Sequence, residues 1–130
     1  MKIKSGIINN GLQTIIDISE KSMPISLAAK FLRLADELTK ENEFIEKQRI
    51  GIIEKYGDKN EQGNLDVQDG NVKFSNPENA EKAQQELNEL SELEVDIIDR
   101  NITEEELMNS GLELTIVQFA TLKEFIHTNE

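Results

Sequence analysis

An α+β fold dominated by helices is predicted by three features of this 130-residue sequence. The first is the stretch after Pro24 up to Tyr56, which is rich in Ala, Leu, Glu and Lys, has no further proline, and carries Gly51 as its single glycine. The second is Asp69-Gly70 between two short alternating segments, which is the turn chemistry of an antiparallel hairpin. The third is a set of helix starts after the hairpin: Asn76-Pro77-Glu78, Thr103-Glu104-Glu105-Glu106 and Thr115-Ile116-Val117-Gln118. Together they describe a long amphipathic helix packed on a shorter N-terminal helix, a β-hairpin that a later strand would extend to three strands, and C-terminal helices. A chain of this size suits one domain: a helical pair over 1–57, a loop and hairpin over 58–75, and an acidic remainder over 76–130.

The elements follow in order. Residues 3–18 place Ile8, Leu12, Ile15 and Ile16 at helical spacing, although Gly11 within that run costs a helix about 1 kcal/mol. Lys2–Lys4 before it suits a short edge strand. Pro24 breaks the chain and fits the first turn of the next helix. In that helix Phe31, Leu38, Ile45 and Ile52 recur every seven residues. Leu34 fills the companion slot once, whereas Glu41, Gln48 and Lys55 occupy it later, so only half of a coiled-coil seam is intact. The helix is expected to pack on one partner helix and continue past it, and Gly57 marks its end. Folding the next segment about Asp69-Gly70 sets Val67 opposite Val72 and Leu65 opposite Phe74 on one face, with Asp66 meeting Lys73 on the other. After Pro77, Ala80, Ala83, Leu87 and Leu90 keep helical spacing, and Glu94-Val95-Asp96-Ile97 then alternates like a strand able to join the hairpin. A short helix from Thr103 stops at Gly111, and the last helix, from Thr115, aligns Phe119, Leu122 and Ile126.

Composition limits the function. Residues 1–60 carry nine acids and ten bases, whereas 61–130 carry seventeen acids and four bases. A surface so divided repels nucleic acid and anionic membrane and attracts basic protein partners. The apolar fraction of 37% predicts a thin core or one shared with a second copy. The absence of cysteine removes disulfides, thiolate metal sites and Cys nucleophiles, and fits an intracellular setting. The N-terminal residues do not read as a signal peptide, and no apolar run approaches a membrane span. The expected location is the cytoplasm.

Candidate chemistry is sparse. The segment 58–69 offers oxygen ligands in the order of a calcium loop, with Gly63 at its sixth position. Its twelfth position, however, is Asp69, already committed to the hairpin turn, so a polar connection is the better reading and no metal is expected. Glu86, Glu89 and Glu92 stand three apart along one predicted helix, and Glu104 and Glu105 open another, where negative charge favours the helix dipole. They read as a solvated acidic surface for a partner, not as a catalytic pair. His127, the single histidine, has neither a second His nor a Cys to complete a zinc site and reads as a surface residue. Lys40, Lys47 and Arg49 alternate with Glu41, Glu43 and Glu46, as on a salt-bridged exposed helix. Phosphate-binding and nucleophile-elbow motifs do not occur, so neither a catalytic residue nor a cofactor is assigned.

The order of these features resembles a small family of uncharacterised proteins from phages and prophages of Gram-positive bacteria. The likeness lies in Met1-Lys2-Ile3-Lys4-Ser5-Gly6, in Met23-Pro24-Ile25 before the long helix, and in Ile53-Glu54-Lys55-Tyr56-Gly57 followed by loop and hairpin. It continues through the acidic helix, Glu94-Val95-Asp96-Ile97 and the closing apolar segment 112–126. The resemblance implies a phage-encoded, non-enzymatic accessory role in a bacterial host cell or virion. The expectation is action through a protein partner, with Phe31, Leu34, Leu38, Ile45 and Ile52 as the seam of a homodimer that Ile45→Glu would dissolve. The alternative is an acidic nucleic-acid mimic that inhibits a host enzyme or an anti-phage defence protein.

Overall fold

The computed structural model describes residues 2–98 and 101–126. Strand β1 (Lys2–Lys4) leads through a 3-10 turn (Ser5–Ile7) into helix α1 (Ile8–Ile18), and helix α2 (Ile25–Tyr56) follows. The hairpin strands β2 (Val67–Gln68) and β3 (Asn71–Val72) precede helix α3 (Pro77–Glu92), strand β4 (Glu94–Asp96), helix α4 (Glu104–Met108) and helix α5 (Ile116–Lys123). The α+β class and its long central helix agree with the sequence pattern. Among the described residues no helix is long and apolar enough to cross a membrane.

The core forms where two helical stripes meet. α1 buries Ile8, Gly11, Ile15 and Ile18, and α2 buries Leu27, Phe31, Leu34 and Leu38, each at steps of three and four residues. Beyond Leu38 the long helix does not run free as the broken heptad suggested. α3 lies against it, bringing Glu86 to Lys55 and burying Ala83 and Leu90. The N-terminus of α3 is held by Asn76, whose side chain accepts from Glu78 N–H, with Pro77 at the first position. Its far end grips the 3-10 turn, where Ser5 N–H donates to the Leu93 carbonyl at 2.7 Å and the Ser5 hydroxyl to the Leu90 carbonyl.

The strand at 94–97 exists but does not extend the hairpin. β4 pairs antiparallel with β1, in the register Lys2 to Asp96, Ile3 to Val95 and Lys4 to Glu94. Lysines therefore face acids on the solvent side while Ile3 enters the core, a pairing the hairpin does not offer. The hairpin stands as a separate two-stranded sheet with Val67 opposite Val72, and both turn residues have positive φ, 53° at Asp69 and 80° at Gly70. Its predicted continuation fails at Leu65 and Phe74. The chain leaving α2 doubles back beside β2, so Leu65 bridges Lys59, and Asp58 donates its N–H to the Lys73 carbonyl while accepting from Asp66 N–H. Val67, expected on the apolar face, is exposed, while Leu65, Val72 and Phe74 are half-buried.

Gly57 ends α2 for want of space and not for a left-handed backbone. Its φ is −68°, but a Cβ there would lie 2.8 Å from the Ile53 carbonyl oxygen, Leu65 Cδ2 and Val72 Cγ1. Gly11 likewise admits the Phe125 ring, which a Cβ would meet at 2.3 Å. The C-terminal segment closes the core with Leu122, Phe125 and Ile126, all buried. At α4 the predicted capping box is half present. Thr103 Oγ1 accepts from Glu106 N–H, while the Glu106 carboxylate turns to Lys30 of α2 at 2.8 Å. The box at Thr115 and Gln118 is complete.

Candidate functional site

The five residues of the expected dimer seam differ in their exposure within one chain. Phe31, Leu34 and Leu38 are buried in the core of a single chain, Ile45 packs half-buried against that core, and Ile52 is half-buried further along the helix. Within the chain, α1 and α3 both pack along α2.

The acidic residues separate in the same way. Three residues advance an α-helix by about 300°, so each step in the series Glu86, Glu89, Glu92 turns the side chain about 60° from the one before. Glu86 points at α2, where Lys55 Nζ lies 3.4 Å from Oε1, and Lys55 in turn sits 4.9 Å from the centre of the Tyr56 ring. Contact with Tyr56, ahead of the Lys55 ammonium, holds the Glu86 carboxyl below the usual carboxylate range, and Tyr56 and Glu86 raise Lys55. Glu92 pairs with Lys4 at 2.7 Å, which raises the lysine. Glu89 remains exposed, on a shallow polar face shared with Glu81, Gln84, Gln85 and Asn88. On α4, Glu104 is half-buried and Glu105 exposed.

The supposed calcium loop is built for its own turns. The Asp58 carboxylate accepts from Ser75 N–H at 3.1 Å and from the Ser75 hydroxyl, which lowers its pKa. Asn60 Oδ1 accepts from Gln62 and Asn64 N–H. Asp69 lies in the hairpin turn. Among the described residues no three His, Cys, Asp or Glu side chains group as a metal site, and His127 lies outside the described residues.

The surface that sequence reading missed is apolar and lies around the start of α5. The capping box fixes Ile116 and Val117 as the first two helical residues, and they project outward, 89% and 74% exposed. Ile116 borders two depressions. One, of about 380 Å³, lies between α4 and α5 and is lined by Leu107, Met108, Leu112, Leu114 and Phe119; Met108 is 70% exposed. The other, of about 350 Å³, lies between the 3-10 turn, α1 and α5, with Ile7, Asn10, Val117, Ala120 and Phe125 around it and Glu124 at its edge. A further apolar cleft of about 250 Å³ opens between α1 and α2, walled by Ile16 and Leu32. The sequence signal for Ile116 and Val117 was Ile-Val directly after an N-capping Thr, where a helix favours acids. α3 and α4 place acids in that first turn and α5 places none.

Comparison with family models, curated proteins and solved structures finds no match for this chain.

Proposed function

We propose that this chain is a non-enzymatic accessory protein, encoded by a phage or prophage, that works by binding another protein in the host cell or virion. The observation that carries the reading is the clustering of Met108, Ile116 and Val117, all mostly exposed, around two apolar depressions. Apolar patches of this kind on a small domain mark surfaces that a partner covers. The acidic second half adds a preference for basic partners. The phage origin rests on the sequence resemblance. Affinity purification from host lysate, with and without infection and washed at low and high salt, tests the reading. A partner retained at high salt through apolar contacts is expected, and recovery of nothing above a control protein would refute it.

The mimic reading draws on the outer face of α3, where Glu81 and Glu89 stand exposed among amides. Carboxylates there would replace phosphates in a basic groove. It predicts a nucleic-acid enzyme that leaves the complex as salt rises and is displaced by duplex DNA. A complex indifferent to both would dismiss it.

A further inference from the structure

We infer that the outer face of α2 docks a second copy of this chain, antiparallel, about a two-fold axis that passes between Lys40 and Glu43. The face lies opposite the buried stripe of Phe31, Leu34 and Leu38, and the inference is independent of the partner-binding reading.

The charges on this face alternate in sign. Arg33, Asp36, Lys40, Glu43 and Lys47 follow one another at steps of three and four residues, so they share one side of the helix, and all are exposed. Ile50 and Glu54 continue the stripe. Other charged residues of α2 have partners within the chain: Lys30 pairs with Glu106, Arg49 with Glu46 and Lys55 with Glu86. Asp36, Lys40, Glu43 and Lys47 make no ion pair among the described residues. At the edge of the face, the Glu37 carboxylate accepts from Ile98 N–H at 2.9 Å. Counting Glu37, the stripe is within one charge of neutral, on a chain that carries −12. Two such chains repel each other across their acidic halves, and this balanced face lets them meet.

The alternation selects both the occupant and its direction. Setting Lys40 opposite Glu43 of the second copy sets Asp36 opposite Lys47 of that copy, and two-fold symmetry repeats both pairs. A parallel two-fold pair would instead place each charge against itself. The antiparallel register also covers exposed apolar side chains. Leu32 meets Ile50 of the second copy, and Phe44 reaches the depression of about 350 Å³ that Ile98 shares with Arg33, Asp36, Glu37 and Lys40. The stretch from Leu32 to Ile50 is about 28 Å long at 1.5 Å per residue. A single helix pair of that length lies at the small end of specific interfaces, so the dimer forms at high protein concentration.

Sedimentation equilibrium of the full chain, from micromolar to millimolar, tests this. The mass should rise from 14.8 kDa toward twice that value. Lys40→Glu alone and Glu43→Lys alone should each weaken association at least tenfold while leaving the melting curve in place, since both side chains are exposed. Mixing the two variants should restore association, because each reversed charge then faces its opposite. Direction is read by a spin label on Glu54→Cys, in a chain that has no other cysteine. Two labels in the antiparallel pair should stand about 35–40 Å apart, against less than about 20 Å in a parallel one. A mass of one chain at every concentration, a mixture that associates no better than its components, or the short label distance would overturn the inference.

Discussion

Gly11 illustrates how a residue that weakens a helix can strengthen a fold. Alanine there would gain about 1 kcal/mol of helix propensity, but its Cβ would enter the Phe125 ring. Overpacking of this severity costs about 1–3 kcal/mol, so Gly11→Ala should lower the thermal midpoint, read by circular dichroism, despite the better helix former. Asp58 makes a second prediction at this scale. Ser75 lowers its pKa in the folded state, so its contribution is present above the unfolded value of about 3.9 and is lost as pH falls through the lower folded value. Asp58→Asn should therefore lower the melting temperature at pH 7, and the gap from wild type should close as pH falls below about 4. A gap constant from pH 7 to 2.5 would refute the assignment. Neither constraint was legible in the sequence, because each depends on an atom brought in by the tertiary fold.

Helices and turns were largely legible, and their partners were not. The 3/4 spacing in α1, α2 and α3, the Asn76 and Thr115 caps and the Asp69-Gly70 turn are local signals that the fold obeys. The pairing of β4 was sought in the nearby hairpin. Its complement was Lys2-Ile3-Lys4, whose alternation answers Glu94-Val95-Asp96 charge for charge across most of the chain. The heptad stripe of α2 is a related case, with Phe31, Leu34 and Leu38 buried within one chain. A heptad repeat on α2 reports that a face is covered, but not by which chain. Leu34→Ala should cost about 2–5 kcal/mol in urea denaturation because Leu34 is fully buried. Leu32→Ala, two residues away and 64% exposed, should change stability by no more than about 0.5 kcal/mol.

At the scale of the whole molecule, a charge of −12 on 130 residues makes the folded state repel itself. Screening should relieve this, so raising NaCl from 10 to 200 mM is expected to raise the melting temperature by a few degrees, as differential scanning calorimetry would detect. A flat or falling response would mean that pairs such as Lys4–Glu92, Lys55–Glu86 and Lys30–Glu106 outweigh the repulsion. The acidic excess was visible in the sequence. The apolar face beside it was not, because exposure of Ile116 and Val117 depends on which way the capped turn faces. The closure of α1 by Phe125 also has a consequence for the order of synthesis. The apolar stripe of α1 emerges early, and Phe125 follows roughly 110 residues later, at roughly 5–20 residues per second. Until then α1 has α2 to pack against but lacks the ring that fills the notch at Gly11, so the pair displays an incompletely covered apolar stripe while the intervening chain is made.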